Sequence, residues 1–106
     1  MLLTAVIITN NEERNIARCL ESIKDVADEI VVVDSGSTDG TEKICAEYGA
    51  KFVHQDWLGY SGQKNFANSL ASNDWILSID ADEQLSEALK NSILELKSQQ
   101  IPDNKA

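Results

Sequence analysis

The chain has 106 residues, 42% of them apolar and 25% charged, which suits one small folded domain with a single modest core and excludes a disordered polymer. Eighteen acidic side chains against nine basic ones leave a net charge of −9, which argues against nucleic acid as a partner and against an anionic membrane surface, since both want clustered Lys and Arg. No run approaches the ~20 apolar residues of a transmembrane helix, and residues 2–8 are too short and lack the basic lead-in of a signal peptide, so the expected compartment is the cytoplasm.

In chain order, residues 2–9 are continuously apolar and branched, as expected of a strand covered on both faces. Asn10 and Glu13 have capping-box spacing, and Ile16, Cys19, Leu20 and Ile23 then follow the period of an amphipathic helix. Residues 29–33 form a second branched strand, which ends at Asp34-Ser35-Gly36-Ser37-Thr38-Asp39-Gly40. Asp39 and Glu42 offer another capping pair for a short helix from near Thr41, with Ile44 and Tyr48 on one face and Gly49 at its end.

Residues 51–55 read as a weaker third strand, followed by a loop over 56–62 and a helix over about 63–71 that turns Phe66, Ala67 and Leu70 inward. The fourth strand, Trp75-Ile76-Leu77-Ser78-Ile79, reads as buried, with Trp75 in the core, and breaks abruptly into Asp80-Ala81-Asp82-Glu83. Ser86 caps a last helix whose Leu89, Ile93 and Leu96 form one apolar stripe, with Glu87 and Lys97 suited to its dipole. Residues 1–97 make one domain, and 98–106 read as a flexible tail. Cys19 and Cys45 lack a CxxC pattern and a histidine cluster, so both read as reduced helix-face residues.

Four alternations of strand and helix predict an α/β fold: a three-layer α/β/α arrangement around a mainly parallel sheet. Such sheets bind ligands outside the carboxyl ends of the strands, where strand order reverses. The polar clusters fall at the ends of the first, second and fourth strands, so all three are expected on one rim.

Side chains alternate along extended chain, so Asp80 and Asp82 are expected on the same side, close enough to repel. A shared hard cation, Mg²⁺ or Mn²⁺, relieves that repulsion and usually also holds substrate phosphate. On spacing alone, a solvated acidic turn competes with this reading. Thr9, Asn11 and Glu12 offer hydroxyl, amide and carboxylate groups to a base or ribose, with helix capping as the plain alternative. Asp34 is costly at the end of an apolar strand unless it meets a cleft or a donor; it could accept from a pyrimidine N–H or a ribose, or form a turn with Ser37. Lys64 is the cation best placed for a diphosphate, beside N–H groups at a helix start. Arg14 reads as a surface charge. Trp57, Leu58 and Tyr60 could shield a sugar or an acceptor, but capping of the core is the favoured account. An EF-hand from Asp80 fails at Leu85 and Asn91, and the glycine fingerprint of a nicotinamide fold is missing after strand one.

Three motifs taken together resemble the donor half of family 2 glycosyltransferases of the GT-A fold, a Rossmann-like nucleotide-binding architecture: Val-Ile-Ile-Thr-Asn-Asn-Glu at 6–12, Val-Val-Asp-Ser-Gly-Ser-Thr-Asp-Gly-Thr at 32–41, and Ile-Asp-Ala-Asp-Glu at 79–83. Residues 57–65 further resemble the bacterial branch that builds lipopolysaccharide core, often by β-glucosyl transfer. The resemblance implies a UDP-sugar donor, a glycan or lipooligosaccharide acceptor and inverting transfer to a hydroxyl. Thr9, Glu12 and Asp34 would line the uridine pocket, and Asp80 and Asp82 would form the Asp-x-Asp element at ribose and metal. The expected substrate-binding set is Thr9, Asn11, Glu12, Asp34, Ser35, Lys64, Asp80 and Ala81, with Asp82 and Asp80 on the cation. A full-length protein of this kind is compatible with peripheral association at the inner face of the cell membrane.

The departure from the family is length. Its members run well beyond 106 residues and carry their general base and acceptor half downstream, so the expectation is a truncated or donor-binding piece. Glu83 is not favoured as a base; its nearness to the metal suggests support. Two rivals remain: a noncatalytic nucleotide-binding or interaction module, and a nucleotidyltransferase, which would want a glycine-rich loop and basic residues after strand one.

Overall fold

A computed structural model describes residues 1–99 of the chain. Its elements are β1 (Leu3–Thr9), α1 (Ile16–Ile23), β2 (Glu29–Asp34), α2 (Thr41–Glu47), β3 (Lys51–His54), α3 (Tyr60–Ser69), β4 (Trp75–Ser78) and α4 (Glu87–Ser98). The four strands are parallel and lie in the order β3-β2-β1-β4. The last helix runs to Ser98, and residues 100–106 of the expected tail lie outside the described residues.

Both faces of β1 and β2 are covered, which is why these strands are apolar throughout rather than alternating. Leu3, Ala5, Ile7, Ile30 and Val32 pack on one face with Ile16, Cys19, Leu20 and Ile23 of α1 and with Val26. Val6, Val31 and Val33 point the other way and pack on Ala67, with Phe66 and Leu70 at the margin. Full burial of a Val, Leu or Ile contributes about 1.5–3 kcal/mol, so these two central strands dominate the stability. Cys19 and Cys45 are free and buried. Burial, reinforced by carboxylates around each, pushes both thiols up to about 12.

Several local expectations give way to tertiary structure. Helix α1 starts at Ile16 behind Asn15, without a side-chain cap, so Asn10 and Glu13 form no capping box there. Glu13 instead reaches across to the loop after β2: its Oε1 accepts from the Gly40 N–H at 2.6 Å, and its own N–H donates to Asp39 Oδ2 at 3.2 Å. A Cβ at position 40 would lie 2.5 Å from that Glu13 oxygen, so a larger residue there would displace the flexible Glu13 side chain from this bond. Asp39 likewise caps nothing by the expected spacing; its Oδ1 accepts from the Thr41 N–H and hydroxyl, and Gly40 is the N-cap. Helix α3 begins at Tyr60, one turn earlier than the periodicity predicts.

β4 is not buried. It pairs only with β1, and Trp75 and Ile76 are 54% and 41% exposed, so Trp75 is no core residue. Ser86 does cap α4, its hydroxyl accepting from the Leu89 N–H at 3.1 Å. The stripe behind that cap divides: Ile93 packs on the core, while Leu89 and Leu96 stay exposed. Lys97 fixes the far end of α4 by donating to the Val26 carbonyl at 2.8 Å and to Asp28 at 2.6 Å. No helix among the described residues is long and apolar enough to cross a membrane.

Candidate functional site

The strand order reverses between β1 and β4, because β1, β2 and β3 step one way and β4 returns to the other side of β1. The two flanks of that switch point end at different heights. β1 pairs with β2 as far as Thr9↔Asp34, whereas its ladder with β4 stops at Val6↔Ser78, prolonged only by the Ile79 N–H donating to the Val6 carbonyl. Beyond Ser78 the chain turns away, and an open notch remains beside the last residues of β1. Into this notch opens a cleft of about 240 Å³ lined by Ile8, Thr9, Asn10, Glu12, Trp57, Tyr60, Asp80, Ala81 and Asp82. This is where an open parallel sheet is expected to hold a ligand.

Asp80 and Asp82 do share the cleft, though not by strand alternation. Residues 80–83 form a tight turn closed by the Glu83 N–H donating to the Asp80 carbonyl at 2.9 Å, with the Glu83 carboxylate accepting from the Asp80 N–H at 2.9 Å. Glu83 thus shapes the acidic turn. Asp80 Oδ1 accepts from Lys64 Nζ at 3.0 Å and from the Tyr60 hydroxyl at 3.2 Å. Lys64 also donates to the Ser78 hydroxyl at 3.0 Å and sits 5.3 Å from the Tyr60 ring centroid. Partial burial would push the Lys64 ammonium down, but the hydrogen bond and charge of Asp80 more than offset this and raise it above its ordinary value. Among the described residues, Asp80 Oδ2 and both carboxylate oxygens of the exposed Asp82 accept no hydrogen bond.

Asp34 meets donors rather than open space. Thr9 and Ser37 hydroxyls donate to its Oδ1, the former at 2.6 Å, and the N–H groups of Gly36 and Ser37 donate to its Oδ2 at 2.9 and 2.7 Å. A carboxylate has about four acceptor positions, so this one is saturated. Burial alone would push its carboxyl up; the Ser37, Thr9 and Gly36 donors together overcome that and hold it below the usual range. The turn-forming role with Ser37, kept open above, is therefore the one occupied.

Ser35 and Asn11 also stand off the cleft. The Ser35 hydroxyl donates to the Thr9 carbonyl at 3.4 Å, while Asn11 Oδ1 accepts from the Thr38 N–H at 2.8 Å and its N–H donates to Ser37 Oγ at 2.7 Å. Of the predicted substrate set, Thr9, Glu12, Asp80 and Ala81 line the cleft, Lys64 reaches it through Asp80, and Asn11, Asp34 and Ser35 build the loops behind it. The aromatic loop departs most from expectation: Trp57, Leu58 and Tyr60 do not cap the core but stand exposed, two of them on the cleft. The only signal in the sequence was three large apolar side chains around a glycine at a helix start.

The donor set tests the expected metal. Among the described residues, no group of three or more His, Cys, Asp or Glu side chains gathers to hold an ion by itself. The cleft offers carboxylate oxygen from Asp80, Asp82 and Glu12, and neither His nor Cys is among its lining residues. That fits a hard cation of the Mg²⁺ type, which takes one or two carboxylates and fills its shell with water and substrate phosphate.

Comparison with known proteins identifies the family. Residues 4–100 match the family described as Glycosyl transferase family 2. The chain belongs to that family. Within this glycosyltransferase family, a Rickettsia felis protein named "Uncharacterized glycosyltransferase" is 55% identical over 91 residues, which cover 86% of this chain and 32% of the relative. The lipopolysaccharide core biosynthesis glycosyltransferase LpsC of Rhizobium meliloti is 46% identical, over 89% of this chain and 36% of the relative. The chain thus spans about a third of the length of the curated relatives it matches.

Solved glycosyltransferase structures share the GT-A-like fold. TarS 1-349 of S. aureus superposes with a TM-score of 0.68 at 27% identity, covering 92% of this chain and 33% of that one. Glucosyl-3-phosphoglycerate synthase of Mycobacterium tuberculosis, solved in complex with Mn²⁺, UDP and glucosyl-3-phosphoglycerate, superposes with a TM-score of 0.68 at 26% identity, covering 78% of this chain and 35% of that one.

Proposed function

We propose that this chain forms the donor-binding portion of an enzyme that transfers a hexose from a UDP-sugar to an acceptor hydroxyl with inversion, in the synthesis of lipopolysaccharide core or another cell-envelope glycan. The observation that carries the reading is the notch at the β1/β4 switch point, where Asp80 and Asp82 face Thr9 and Glu12 across one cleft. The complex of the mycobacterial neighbour with Mn²⁺ and UDP, and the core-biosynthesis relative, support the nucleotide, the metal and the pathway class.

In this reading Asp82 and the free oxygen of Asp80 would hold Mg²⁺ or Mn²⁺, which supplies charge neutralisation on a departing diphosphate. The protein's own groups do the rest. Thr9 and Glu12 offer acceptors to a nucleoside, on a rim that Asp34 keeps rigid from behind. Lys64, now paired with Asp80, would exchange that anion for a substrate phosphate. Ile8 and Ala81 give the cleft an apolar floor where such pairs are stronger than in water. The general base and the acceptor-binding half are assigned to sequence beyond the third of the relatives that this chain matches.

Calorimetric titration of UDP with and without Mn²⁺ tests the proposal. Mn²⁺-dependent binding is the expected result, and absent or metal-independent binding would refute it.

A further inference from the structure

The loop before α3 spends a buried amide on an exposed surface. Trp57, Leu58 and Tyr60 are 57%, 51% and 58% exposed. Leaving a large apolar side chain in water forgoes roughly 1.5–3 kcal/mol of burial. The backbone that carries these side chains is fixed by a buried amide. Gln63, 0% exposed, accepts from the Leu58 N–H at 3.0 Å through Oε1 and donates to the Gln55 carbonyl at 2.9 Å through Nε2. These two bonds grip the backbone on either side of Trp57. At the end of the loop Gly59 takes φ 88°, a conformation that strains other residues, and Tyr60 ties the next position to Asp80.

We propose that Trp57, held by Gln63 and flanked by Tyr60, is a preformed stacking platform for a pyranose ring. This rests on the nucleotide-sugar reading of the same cleft. The chemistry matches a sugar. An aromatic face carries the negative lobe of its quadrupole, which suits the positively polarised C–H face of a pyranose. Glu12, which lines the same cleft, presents a carboxylate acceptor to the hydroxyls around the ring edge. Preorganisation by Gln63 means the loop need not be ordered when the ring arrives. The ring belongs either to the donor or to the acceptor, and the two are separable by experiment.

The test uses the 106-residue chain with Mn²⁺ and three arms: UDP, a panel of UDP-hexoses (UDP-glucose, UDP-galactose, UDP-N-acetylglucosamine), and methyl β-D-glucopyranoside. In the parent chain, one of the last two arms shows binding beyond that of UDP: a tighter UDP-hexose marks the donor ring, and glycoside binding marks the acceptor ring. Trp57→Ala should lower that increment about tenfold and leave UDP unchanged, while Trp57→Phe retains most of it. Gln63→Leu should act like Trp57→Ala; because Gln63 is buried, the exposed Trp57 variants carry the decision if it fails to fold. Equal loss of UDP and UDP-hexose in Trp57→Ala would assign the ring to the base and overturn the platform, as would no effect of the substitution. If UDP itself does not bind, the nucleotide reading falls; glycoside binding lost in Trp57→Ala would then keep the platform, and its absence would remove both.

Discussion

Lys64 Nζ and Asp80 Oδ1 lie 3.0 Å apart, joining α3 to the acidic turn after β4. Their side chains keep 24% and 41% of their surface in water, and half-exposed pairs of this kind contribute only about 0–1 kcal/mol to stability. The pair is better placed to trade partners than to hold the fold. Lys64→Ala should therefore shift the denaturation midpoint by less than about 1 kcal/mol of stability, yet weaken Mn²⁺-dependent UDP binding by roughly tenfold. Urea denaturation and calorimetry on one preparation check both; a large stability loss with unchanged binding would reverse the assignment.

Asp82 makes the contrast sharper. It is exposed and bonded to no other described residue, so Asp82→Ala should change stability by no more than about 0.5 kcal/mol. Mn²⁺-dependent UDP binding should fall much further, toward the metal-free level. Matched thermal melts and titrations decide this; unfolding of the variant would make the residue structural.

Asp34 gives the opposite profile. Its carboxyl is held below the usual range in the folded chain, so its contribution is complete above the unfolded value of about 4 and is lost as pH falls through the lower folded value. Asp34→Ala, which orphans the Gly36 and Ser37 N–H groups and two hydroxyls, should cost about 2–4 kcal/mol at pH 7. The deficit should shrink in acid. Urea midpoints between pH 7 and pH 3 measure it, and a deficit that grows on acidification would contradict the argument.

Ser22 links α1 to the segment just past the acidic turn. Its hydroxyl donates to the Cys19 carbonyl at 2.7 Å and accepts from the Leu85 N–H at 2.9 Å. Ser22→Ala leaves that buried N–H without its partner, at a cost of about 1–3 kcal/mol. Faster amide exchange at Leu85, read by NMR, is the local signature expected.

What could be read in advance follows physical locality. Strands β1 and β2 were legible because both faces are covered and every residue from Ile30 to Val33 is apolar and branched or buried. β4 carries an equally apolar Trp75-Ile76-Leu77, but its exposure depends on sheet order, which no single segment encodes. Asn10 and Glu13 had capping spacing, yet the structure spends Glu13 on Gly40, 27 positions away. The paired acids were found by composition and motif; the supposed extended chain between them is a turn. Gln63 was missed as a site builder, and Tyr60 was read as capping the core in preference to shielding a sugar, because their roles exist only through the loop at Leu58 and through Asp80.

The unequal ending of β1 and β4 also has a consequence for variation in length. The room beside Thr9 exists because the neighbouring strand quits early, so its depth is counted in ladder rungs, not in the size of any side chain. Two residues added to β4 would carry main chain up alongside Ile8 and pave the gap over, however well each acid were preserved. Insertions after Glu83 leave the gap open; insertions between Trp75 and Ser78 close it.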